Sequence, residues 1–226
     1  MAMAGRAGLC FHGIGEPRRT LEPGEARYWI GVETFRAVLD RVAAMPRTPQ
    51  PVRITFDDGN VSDVETALPE LTARGLKATF FVLAGRLDEP GSLSRDHVRT
   101  LVTEGMGVGS HGMDHRPWVG MDDVTRRREL VEARDHLREV TGTPIDEAAL
   151  PLGRYDRRLL RQLRSLGYRH VHTSDRAWAR PDAWLQPRFS LRDTDTIENV
   201  HTEMLTRPSF ARRAERTAVG WVKRLR

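Results

Sequence analysis

Val52-Arg53-Ile54-Thr55-Phe56-Asp57-Asp58-Gly59-Asn60 passes in nine residues from apolar and β-branched side chains to two adjacent carboxylates and an Asp-Gly pair. The first five residues predict a short buried strand, and the turn residues mark its C-terminal end. Two neighbouring aspartates there repel, so one of them needs a counter-charge, which a bound cation would supply. Taken alone, the stretch also reads as a plain Asp-Gly turn.

Working outward, runs of the same character recur at 78–83, 106–109 and 169–172, and Phe11-His12-Gly13 closes a first strand near the N-terminus. Between them lie helical patterns at 64–74, 94–104 and 122–140, and another helix follows Asp156 with Leu159, Leu160 and Leu163 on one face. Glycines at 75, 105 and 167 fit helix C-terminal positions. Repeated strand and helix alternation predicts an α/β fold with a parallel sheet and helices outside it. Periodicity leaves open whether that sheet closes into a small barrel or stays flat. In both cases functional groups collect at the C-terminal strand ends.

The 226 residues suffice for one substantial core, and no apolar run approaches the length that crosses a bilayer. The opening residues lack the continuous apolar stretch of a secretory signal, which predicts a cytoplasmic protein. Cys10 is the sole cysteine, excluding an intrachain disulfide and a thiolate-rich zinc site. Any metal must then use histidine and carboxylate. The net charge of +5 is carried almost wholly by arginine, dispersed and without an aromatic platform, so nucleic acid is not expected as a partner.

Ser110-His111-Gly112-Met113-Asp114-His115 follows the strand at 106–109. Two histidines four apart fall on one side of a helical turn and can reach one metal. Asp58 with His111 and His115 would make a set of one carboxylate and two imidazoles that leaves coordination positions open for water and substrate.

Thr55 to Gly59 and His111 to His115 together resemble the TFDDG and H-S/T-x-x-H motifs of the polysaccharide deacetylases, the NodB-homology or carbohydrate esterase family 4 fold. Gly112 replaces the usual hydroxyl residue. The resemblance extends from Phe11 to about Arg188 and implies a distorted (β/α) barrel of parallel strands. It implies Asp57 as catalytic base and Asp58, His111 and His115 as metal ligands. The third motif is partial: Ala149-Leu150-Pro151-Leu152-Gly153 is similar to a Y-P-Y-G variant, with alanine where the family has arginine. Leu152 and Gly153 are then expected to meet substrate, Leu152 through its backbone N–H. The final L-x-H motif is not found, so His12 and His172 are the candidates for general acid, and Trp118 for a sugar subsite.

The resemblance implies a metal-dependent hydrolase that removes an acyl group, acetyl first, from an N-acylated sugar in a polysaccharide, glycolipid or precursor. Zinc is the first choice of divalent ion, with cobalt, nickel or iron also suited to the ligands. Two other readings stand beside it: an amidohydrolase acting on a small non-sugar amide, and a catalytically silent member that binds carbohydrate or protein. The catalytic domain is expected over 1–208. Residues 209–226 form a basic amphipathic segment, with Trp221 among its apolar positions, suited to peripheral contact with the inner membrane face.

Overall fold

The computed structural model describes residues 5–46 and 52–206. The segment at 209–226, with its expected membrane contact, lies outside the described residues. No helix among those described is long and apolar enough to cross a membrane.

The chain opens with β1 (Ala7–Phe11), then the two-residue strands β2 (Gly13–Ile14) and β3 (Trp29–Ile30), which pair with each other. Helix α1 (Val32–Ala43) follows, and Phe35, Val38, Leu39 and Val42 form its buried stripe. Next come β4 (Val52–Phe56), α2 (Leu68–Ala73), β5 (Ala78–Val82), α3 (Arg95–Thr103) and β6 (Gly107–Ser110). Helices α4 (Asp123–Arg127) and α5 (Ala133–Thr141), joined by a π-helical turn, realise the expected 122–140 helix. The remaining elements are β7 (Glu147–Ala149), α6 (Arg157–Ser165), β8 (His170–Thr173), β9 (Leu185–Pro187), β10 (Phe189–Ser190) and α7 (Ile197–Asn199). Local capping agrees with the sequence: the Ser94, Asp122 and Asp156 side chains accept the backbone N–H three residues on.

Eight strands form one parallel sheet in the order β10-β1-β4-β5-β6-β7-β8-β9. The two edge strands are consecutive in the chain, separated only by Arg188. Leu185, Gln186 and Pro187 pair with β8, and Phe189 and Ser190 pair with β1, so one bent segment brings the sheet round to a nearly closed barrel. That settles the choice between barrel and open sheet.

Strand alternation sorts the side chains. Leu9, Phe11, Ile54, Phe56, Phe80 and Val82 pack outward against α1 and α3 in the main core. Arg53, Thr55 and Asp57 alternate with them, facing the other way. There Arg53 bonds Glu147, and Arg188 bonds Thr55 and Asp57. The narrow interior leaves little room beside these groups. A Cβ on Gly8 would come within 2.9 Å of the Arg188 Cγ, and one on Gly109 would strike the Phe81 ring.

Candidate active site

Asp57 and Asp58 leave the end of β4 on diverging paths. The Asp57 N–H donates to the Phe11 carbonyl at 2.9 Å, extending the ladder by one residue. Asp58 then enters the left-handed region at φ 76°. His115 and Leu152 also have positive φ, so three of the five non-glycine residues in that region among the described residues belong to the proposed site. Such backbone is costly and persists only where its surroundings hold it.

The hold on His111 and His115 is visible. Gly112 and Met113 carbonyls accept N–H groups from Ala84 and Gly85. The fully buried Glu129 carboxylate accepts the N–H groups of Met113 and Asp114 and the indole N–H of Trp118. Glu129 also explains Gly112, where φ is 88° and a Cβ would run into that carboxylate. Trp118, expected at a sugar subsite, anchors the loop and is not among the residues that wall the cleft. Glu129 sits mid-helix in an ordinary polar pattern, and nothing local marked it.

His111 and His115 each present Nε2 to the same Asp58 oxygen at 3.4 Å. Their Nδ1 atoms are engaged elsewhere, His111 on the Ala149 carbonyl at 3.0 Å and His115 on the Glu22 carboxylate at 2.8 Å. An Nδ1–H donating to oxygen leaves the Nε2 lone pair free for a cation. That Asp58 oxygen is buried and without a hydrogen-bond donor among the described residues. An orphaned carboxylate oxygen between two imidazole lone pairs is poorly satisfied by protein alone and fits a metal ion. Burial opposes the charge on Asp58, but the surrounding histidines more than offset it and hold its carboxyl well below the usual range. Burial likewise works against a charged His111, yet Asp57 and Asp58 raise it above the ordinary histidine value.

Asp57 has a different partner. Arg188, 131 residues away and 2% exposed, donates from two nitrogens to the two Asp57 oxygens at 2.7 Å each. It also donates to the Thr55 hydroxyl and the Thr173 carbonyl. Burial disfavours the Asp57 anion, but Arg188, with His111, outweighs it and keeps the carboxyl ionised. The arginine absent at Ala149 thus has a counterpart on the bend between β9 and β10. Cys10, His12 and Asp57 also lie close enough to suggest ligands. The guanidinium on Asp57 and the burial that pushes the Cys10 thiol up make that trio unsuited to a cation.

A cleft of about 300 Å³ opens over these groups, walled by His12, Tyr28, Asp57, Asp58, His111, His115, Leu150, Leu152 and Gly153 among others. His12 stacks on Tyr28 with ring centroids 4.9 Å apart, and its Nδ1 has no partner among the described residues. Burial lowers its pKa despite the nearby aspartates. His172 is elsewhere: fully buried, bonded to Glu147 at 2.9 Å, packed on Phe81 and absent from the cleft wall. Burial brings it down to about 3. His172, a candidate general acid by sequence, is thus turned by strand alternation into the polar barrel interior.

A parallel barrel carrying an Asp-His-His set and an arginine-held aspartate at its C-terminal strand ends defines a recognisable class of protein. The sequence model of the polysaccharide deacetylase family matches residues 44–171, and the chain belongs to that family. Two Bacillus subtilis (strain 168) proteins described as candidate polysaccharide deacetylases are similar to it. YxkH is 25% identical over 124 residues, 55% of this chain and 44% of its own length. YheN is 33% identical over 116 residues, 51% and 40% respectively. The chain thus spans less than half the length of these relatives. In fold it is similar to the Streptococcus pyogenes deacetylase PplD in complex with acetate, with TM-score 0.77 and 19% identity over 92% of this chain and all of that one.

Proposed function

We propose that this chain is a metal-dependent deacetylase that hydrolyses the amide of an N-acylated sugar. The observation that carries the reading is the unsatisfied Asp58 oxygen facing two Nε2 lone pairs beside the arginine-held Asp57, all in one cleft. The acetate complex of the structurally similar deacetylase supports acetyl as the group that is removed.

Asp58, His111 and His115 would hold a divalent ion, zinc first, with cobalt, nickel or iron suited to the same nitrogen and oxygen donors. When bound, such an ion supplies Lewis acidity toward the amide carbonyl and lowers the pKa of water. Asp57 accepts the proton of the attacking water at a carboxylate oxygen, and Arg188 fixes its orientation throughout. The strong ion pair makes Asp57 a weak base at rest, so the water must be acidified before transfer is favourable. Leu152, turned to φ 54° and ψ 14° on the cleft wall, offers its N–H where negative charge develops on the carbonyl oxygen. His12, kept neutral at rest because burial lowers its pKa, would take up a proton before passing it to the departing amine. Leu150 and Leu152 provide apolar surface for the acyl methyl.

The test is acetate release from a panel of N-acetylated saccharides and small non-sugar amides, using protein stripped with chelator and then reloaded with zinc. Release from sugars by reloaded protein only is expected. Turnover confined to non-sugar amides, or undiminished turnover after stripping, would refute the reading.

A further inference from the structure

Two arginines converge on one aromatic ring at the rim of the cleft. The Arg27 guanidinium carbon lies 5.6 Å from the Tyr28 ring centroid and that of Arg192 lies 6.0 Å from it. Tyr28 and Arg27 both line the cleft, and Tyr28 stacks on His12. The neighbouring cations are engaged with carboxylates: Arg86 with Glu22, Arg19 with Glu25, Arg188 with Asp57. Arg27 and Arg192 pair with no carboxylate among the described residues, and the Arg192 Nε is buried without an acceptor. Nearby acids do not relieve them. The Asp195 carboxylate accepts the Arg192 backbone N–H, and Asp193 approaches through its own N–H on the Arg27 carbonyl.

Contact with a tyrosine ring attracts a guanidinium but leaves its N–H donors unused. An anion within reach of both guanidinium groups would use those donors and offset their charge. Guanidinium groups match phosphate oxygens in charge and planar donor geometry.

We propose that this rim binds a phosphate carried by the sugar, making the preferred substrate an N-acylated sugar phosphate rather than a neutral polysaccharide. The word substrate rests on the hydrolase reading; the anion site itself does not. The same phosphate occurs in nucleotide-linked and lipid-linked sugars.

The experiment compares binding of N-acetylglucosamine 1-phosphate and methyl N-acetylglucosaminide to the zinc-loaded chain by calorimetry. At low salt the phosphate is expected to bind about fivefold tighter or better, with the advantage shrinking as salt screens the charges. Arg27→Gln with Arg192→Gln should abolish the advantage, and Arg27→Lys with Arg192→Lys should keep most of it, with unchanged thermal midpoints verifying both folds. Equal affinities in the parent chain, or an advantage surviving the glutamine pair, as direct phosphate contact with zinc would give, overturns the proposal. Intact preference with no acetate released from either sugar would overturn the hydrolase reading alone. Turnover of UDP-N-acetylglucosamine against vesicles bearing a polyisoprenyl-phosphate N-acetylglucosamine distinguishes the two sources.

Discussion

Replacing Arg188 by methionine keeps much of the side chain's length and removes its charge, leaving the Asp57 carboxylate buried and 4% exposed without its guanidinium. Breaking a buried pair from one side costs about 3–5 kcal/mol, because the remaining charge is uncompensated. Asp57→Asn strands the guanidinium by the same argument. Removing both charges together leaves chiefly a packing mismatch and the donors lost to Thr55 and Thr173, roughly 1–2 kcal/mol. The two single changes are therefore expected to be strongly non-additive, with a coupling of about 3 kcal/mol or more. Urea unfolding of the four proteins, followed through the five tryptophans, measures this directly. A second readout is the pH dependence of the Arg188→Met deficit. Without the guanidinium, burial favours a protonated Asp57, so the deficit should narrow as pH falls from 7 toward 5. Single changes that add within about 0.5 kcal/mol would refute the claim that this ion pair holds the carboxylate.

Asp57→Asn should retain bound metal and lose deacetylation, whereas His111→Ala should lose both, and metal content by mass spectrometry beside acetate release separates the cases. Glu22→Ala, which frees His115 Nδ1, is expected to weaken zinc binding about tenfold in competition with a chelating dye, and an unchanged affinity would show that the carboxylate does not orient the ring. Acid should destabilise the barrel interior in a defined window. His172 lies at about 3 when folded against 6.5 ordinarily, so its share of stability is complete above 6.5 and drains away as pH drops toward 3. Glu147 is also held low, by the His172 hydrogen bond and Arg53 against the cost of burial, so its share is lost only below about its ordinary 4.5. Unfolding midpoints should fall progressively below pH 6.5, and His172→Gln should flatten the slope between 6.5 and 4.5; an unaltered slope would count against the buried neutral imidazole.

Much of the site could be read along the chain because its ligands belong to two short strand-end segments. Asp57 and Asp58 follow β4, and His111 to His115 follow β6, so local pattern alone located four of the residues that the cleft brings together. The strand and helix alternation likewise specified parallel strands, since each apolar run and each amphipathic stripe is written in consecutive residues. Other features depend on which strands become neighbours, and that is a property of closure. Arg188 reaches Asp57 because one bent segment joins β8 to β1, and Glu22 reaches His115 across 93 residues of chain. His172 shows the complementary case. Its position at a strand end suggested the cleft, yet side-chain alternation and the buried Glu147 draw it into the interior. Sequence thus determined the chemistry that short segments can carry. Only the folded barrel decided which distant charges would meet, because electrostatic pairing acts through space and takes no account of separation along the chain.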